Sequence, residues 1–165
     1  MLSQRRITPG PGQESVWDYP RPPALEDSPK RIKIVFNDNV IVDSQQTKRV
    51  LETSHPPVYY IPPADIAMDC LSEAPGTSFC EWKGRARYYT VTVGDRVAAR
   101  VAWCYPTPTE RFASLANYVA FYPSAMDACY VDDEQVQAQT GDFYGGWITS
   151  DIVGPFKGGA GTWGW

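Results

Sequence analysis

The chain has 165 residues, enough for one hydrophobic core and thin for two. Apolar residues make up 43% of it and charged residues 21%, so it can fold without metal or disulfide staples. Fifteen basic against nineteen acidic residues give a net charge of -4, the wrong sign for a protein that neutralises phosphates, so nucleic acid is not an expected partner.

Residues 1–28 read as a proline-rich, weakly ordered arm, with Pro9, Pro11, Pro20, Pro22 and Pro23 among polar neighbours. Residues 29–165 read as a single domain. No apolar h-region follows Arg5 and Arg6, and no window approaches the roughly 20 apolar residues of a membrane span. A cytoplasmic protein without membrane contact is the expectation. The four cysteines are widely spaced, and free thiols are the default.

Ordered structure is expected to begin at Arg31. Ile32, Ile34 and Phe36 alternate with Lys33 and Val35, and Val40-Ile41 follow the turn formers Asn37-Asp38-Asn39, which predicts a hairpin. Pro62-Pro63-Ala64-Asp65-Ile66 can open a short helical turn. A second hairpin runs from Arg87–Val93 to Arg96–Trp103 around Gly94-Asp95, with Val97, Ala99, Val101 and Trp103 expected on one face. Thr107-Pro108-Thr109-Glu110 has the order of a capping box, and Phe112, Leu115, Ala116 and Val119 follow at helical spacing. A helix near 108–118 is predicted. A third pair, Ala128–Val131 and Gln135–Gln139, turns through Asp132-Asp133-Glu134. The fold class is therefore mainly β: a compact antiparallel domain of hairpins, closed as two packed sheets or a tent-like barrel, with one short helix. The tail VGPFKGGAGTWGW is glycine-rich and reads as loop or edge strand.

The densest set of reactive groups is FCEWKGRARYY, Phe79 to Tyr89. Cys80 and Lys83 are three apart, so a turn ending at Gly84 can bring the ammonium near the thiol and favour its thiolate form. Buried packing for Cys80 and a solvated charge for Lys83 is the alternative. His55, the only histidine, sits before two prolines and is the first candidate for proton transfer. Cys80 with His55, and Asp65 or Glu52 as orienter, would supply the parts of a cysteine hydrolase. Arg85 and Arg87 project to one face of a strand and can together hold a carboxylate or phosphate. Trp82, Trp103, Tyr105 and Tyr122 belong to an aromatic set large enough to fill a core and still wall a pocket. No CxxC, His-x-x-His, Walker loop or Gly-x-Ser-x-Gly motif occurs, so neither a metal site nor a common cofactor is expected.

The runs SHPPVYYIPPADI (Ser54 to Ile66), FCEWKGRARYYTV (Phe79 to Val91), AWCYPTP (Ala102 to Pro108) and VAFYPS (Val119 to Ser124) resemble, in order and spacing, domain of unknown function family 427. The resemblance implies a compact, mainly antiparallel β domain of a fold group that binds small ligands in an aromatic-lined cleft. The family also carries a nucleotidyltransferase-like label. That activity needs a Gly-Ser and paired acidic residues on a strand to hold two metal ions, whereas Asp132-Asp133 falls in an expected turn.

Three functions follow as expectations. The first is binding of an unknown small molecule in an aromatic and cationic pocket of Cys80, Lys83, Arg85, Trp103 and Tyr105, approached by His55, with catalysis left open. The second is a cysteine-dependent hydrolase or transferase using Cys80, His55 and Lys83. The third is a non-catalytic interaction module, including a homo-oligomer, docking through the arm or the Trp163-Gly164-Trp165 tail.

Overall fold

A computed structural model of the protein describes residues 6–141, 144–159, 161–162 and 164–165. The chain is mainly β, built mostly from antiparallel sheets that do not close into a barrel. In chain order its strands are β1 (Glu14–Ser15), β2 (Ala24–Ser28), β3 (Ile32–Phe36), β4 (Asn39–Ser44), β5 (Thr47–Leu51) and β6 (Val58–Tyr60). The longer strands follow as β7 (Leu71–Cys80), β8 (Gly84–Val93) and β9 (Arg96–Cys104). Short strands complete the set: β10 (Val119–Phe121), β11 (Ala128–Val131), β12 (Glu134–Gln135), β13 (Gln137–Ala138), β14 (Trp147–Ile148) and β15 (Ile152–Val153).

The three expected hairpins form where turn chemistry marks them. β3 and β4 join through Asn37-Asp38, whose φ values of 49° and 61° are those of a two-residue turn that matches strand twist. β8 and β9 join through Gly94-Asp95 with Val93 opposite Arg96. β11 and β12 join through Asp132-Asp133, at φ 47° and 70°. β12 stops at Gln135, shorter than expected, because Gln137–Ala138 leaves to pair with Trp147–Ile148.

A four-stranded sheet in the order β10-β9-β8-β7 is the spine of the molecule. One face carries Val91, Ala102, Cys104, Val119 and Phe121 against Ile32, Ile34, Phe36, Val42 and Val131 of the β12-β11-β3-β4 sheet. The opposite face carries Ala86, Trp103 and Ala120 against Val50 and Tyr60 of the β2-β5-β6 sheet, with Phe112 and Leu115 below. Both faces are therefore buried around β9. The expected common face of Val97, Ala99, Val101 and Trp103 is broken by a bulge. The β8–β9 register shifts between Tyr89 and Val91, and Arg100 takes φ 53°. Val101 then packs in the first cluster, Trp103 in the second, and Val97 is left exposed.

The helical segment near 108–118 is present as a kinked 3-10 stretch, Glu110–Leu115, with Phe112 at φ -111°. It starts later than the Thr107 cap implies because Thr109 is committed elsewhere. Its hydroxyl donates to the Trp82 carbonyl at 2.6 Å, and its N–H donates to the Lys83 carbonyl at 3.0 Å. A second 3-10 turn forms at Pro63–Asp65, as its prolines predict.

Much of the proline-rich stretch before residue 29 is built into the sheets. β1 runs parallel to β15, β2 pairs along its whole length with β5, and Val16 is fully buried. At the other terminus Trp165 packs edge-on against Trp17 at 5.4 Å, and its carbonyl accepts from Arg21 at 3.4 Å. Arm and tail are thus partnered with each other. Trp163, part of the tail expected to dock, lies outside the described residues.

Candidate functional site

The β7–β8 hairpin presents the reactive cluster. Cys80 ends β7 and pairs with Gly84, so Glu81, Trp82 and Lys83 form the connecting turn. Gly84 has φ +108°, where a side chain would be strained and would press on the Thr107 carbonyl. Hydrogen bonds from Thr109 to the Trp82 and Lys83 carbonyls clamp this turn from below. The side chains that leave it enter a cavity of about 760 Å³.

Cys80, Trp82, Lys83, Trp103, Tyr105, Tyr122 and His55 all line this one cavity. Arg85 and Arg87 do not. The two-residue period of β8 turns them away from Ala86 and Tyr88, to a separate 280 Å³ groove with Thr77, Pro106 and Thr107. There Arg85 donates to Thr77 Oγ1 at 3.3 Å, and Arg87 pairs with Glu73 at 3.2 Å.

Aromatic rings form a continuous wall. Trp103 meets Tyr122 at 4.6 Å between ring centroids and stands perpendicular to Tyr60 at 6.4 Å. Tyr60 meets Tyr105 at 6.3 Å. The Trp103 indole N–H donates to the Tyr60 hydroxyl at 3.4 Å. Burial raises the pKa of Tyr60, Tyr105 and Tyr122, so all three remain neutral phenols.

Lys83 is the charge set into this wall, its Nζ 5.7 Å from the Tyr105 ring centre. Burial opposes its charge, yet the polar atoms of neighbouring Tyr60 and Cys80 and the Glu52 carboxylate favour it, and its pKa lies above the ordinary value. It is an ammonium at neutral pH, not an amine nucleophile. Among the described residues no carboxylate lies within 4.0 Å of it.

His55 occupies the opposite side on a pinned loop. Its N–H donates to the Glu52 carbonyl, while Ser54 is buried and donates to Val16. Gln139 Nε2 lies 3.3 Å from His55 Nδ1, and Glu52 Oε2 lies 3.5 Å from Nε2. Gln139 is itself fixed, donating to the Lys157 carbonyl at 2.6 Å and accepting from the Gly146 N–H at 3.1 Å. Its amide makes Nδ1 the acceptor, so the ring proton sits on Nε2 toward Glu52. Burial pushes the His55 pKa down to about 4, with Lys157, Arg21 and Lys83 adding to the fall and Glu52 opposing it. The ring is neutral at pH 7. With both nitrogens engaged, no hydrogen bond joins His55 to Cys80 among the described residues.

The third wall comes from late in the chain. Gly145 packs so closely on the Trp103 ring that a Cβ there would collide with it, and Tyr144 meets His55 at 5.3 Å between ring centroids, tilted at 57°. Lys157 completes this side. Sequence reasoning missed Gln139, Tyr144, Gly145 and Lys157. The Gly145-Gly146 pair before a tryptophan signals a close approach, whereas Gln139 and Lys157 carry no local signal.

Comparison with known families assigns the chain from this geometry outward. The profile of the domain of unknown function DUF427 matches residues 24–132. The chain belongs to that family. The DUF427 match covers the Cys80–Lys83 turn and the Trp103, Tyr105 and Tyr122 wall, but ends before Gln139, Gly145 and Lys157. No curated protein matches the chain.

Proposed function

We propose that this DUF427 chain binds a small organic molecule in the 760 Å³ cavity between the Cys80–Lys83 turn and the His55 loop. The observation that carries this reading is the convergence, from separate stretches of sequence, of aromatic walls and two ammonium groups, Lys83 and Lys157, with no carboxylate within 4.0 Å among the described residues. The cavity falls within the roughly 300–1,000 Å³ of ligand sites. A panel of planar aromatic fragments, scored by thermal unfolding, tests it on the natural chain and on Val58→Trp, which fills the cavity. Compounds that stabilise the natural chain and not the variant support the reading. Equal stabilisation of both, or of neither, refutes it.

A second reading, attack by Cys80 on a bound electrophile, is favoured by Cys80 and Lys83 lining the same cavity from one turn. No hydrogen bond joins His55 to Cys80 among the described residues, so this reading assigns His55 no direct proton transfer from the thiol. Iodoacetamide labelling followed by mass spectrometry separates the readings. A tenfold slower reaction at Cys80 in Lys83→Met supports the nucleophile, and an unchanged rate leaves the thiol as part of the wall. Docking of a partner through arm or tail would require the Trp17–Trp165 contact to open.

A further inference from the structure

The charge and shape of the cavity select among small molecules. Resting on the reading that the cavity is a ligand site, we propose that its ligand is a planar aromatic monoanion, its carboxylate on the Lys83 ammonium and its ring against Trp103 and Tyr122.

Charge excludes the opposite class first. Aromatic boxes also hold cations, but here an ammonium already lies over the Tyr105 ring, and a second cation would meet it in a partly buried space. Lys157 adds a further positive charge on the far wall, 5.8 Å from the Tyr144 ring. Both lysines act on His55, and neither has a carboxylate within 4.0 Å among the described residues. Of the two lining carboxylates, Glu52 is taken by Arg21 and His55, and Glu81 is exposed at the rim. The interior therefore holds two ammonium groups without an ion-pair partner among the described residues, and an anionic ligand can supply negative charge to it.

Shape gives the rest. Trp103 and Tyr122, packed on each other at 4.6 Å between ring centroids and inclined at 45°, form one wall of ring faces and edges against which a flat hydrophobic body can lie. Their order is enforced from behind by Gly145 and by the bond from Trp103 to Tyr60. A carboxylate fits better than a phosphate ester, because no arginine lines the cavity among the described residues to hold a dianion with a bidentate fork. Arg85 and Arg87, the sequence candidates for that task, face the other groove.

Calorimetric titration with 1-naphthoate and its neutral amide, 1-naphthamide, tests the class. The natural chain is expected to bind the acid at least tenfold more tightly than the amide. Lys83→Met is expected to abolish that preference while leaving amide affinity within twofold, and Lys83→Arg to keep it, with unfolding curves confirming that both variants fold. Equal affinity for acid and amide in the natural chain, or an undiminished preference in Lys83→Met, overturns the anion assignment and leaves the cavity reading standing. Binding of neither compound overturns both.

Discussion

At the scale of single residues the site is held by groups that never enter it. Thr109 donates its hydroxyl to the Trp82 carbonyl, so Thr109→Val should cost about 1 kcal/mol of stability and loosen the Cys80–Lys83 turn. Chemical denaturation and the titration above would read both effects. His55 carries a pH signature. Its folded pKa of about 4 lies below the ordinary 6.5, so the unfolded chain takes up a proton that the folded chain refuses. Stability should fall as pH drops from about 6.5 toward 4 and level off below, by on the order of 3 kcal/mol. His55→Gln should flatten that slope. Other groups titrate in both proteins, so the difference between their stability–pH curves is the readout. The candidate residues could be named from sequence because thiol, ammonium, imidazole and indole are rare or chemically distinct here. Their meeting could not, since Cys80 and His55 are joined only through tertiary packing of separate sheets.

At the scale of elements, local chemistry that is strong enough to act alone was readable. Asn37-Asp38, Gly94-Asp95 and Asp132-Asp133 each close a two-residue hairpin, and alternation marked β3. Asp38→Gly gives the preferred Asn-Gly pair at φ 61° and should raise stability by about 0.5 kcal/mol in urea unfolding. Elements whose cause lies elsewhere were not readable. β7 (LSEAPGTSFC) shows no alternation and contains Pro75-Gly76, yet it pairs with β8 because the register shift between Glu73 and Thr77 sets those residues aside. The Thr107 capping signal was real in sequence but lost to the pull of Thr109 on the Trp82–Lys83 turn.

At the scale of the molecule, burial of the central sheet on both faces ties site to fold. Phe112→Ala removes a fully buried ring under the second cluster and should cost about 3–5 kcal/mol. Gly145→Ala should overpack Trp103, costing about 1–3 kcal/mol and displacing a cavity wall. Removing residues 1–28 takes away β2, the partner of β5, together with buried Val16, and should abolish cooperative unfolding instead of leaving an intact domain. The cavity itself joins the DUF427 region to a later stretch that supplies Gln139, Gly145 and Lys157, a union that no local pattern announces. The most direct measurement of the central claim follows the tryptophan indole N–H resonances by 1H–15N NMR during titration with 1-naphthoate. The account predicts that Trp103 and Trp82 shift together and saturably, while Trp17, Trp147 and Trp165 stay in place. Shifts confined to Trp17 and Trp165, or no saturable shift at Trp103, would contradict it.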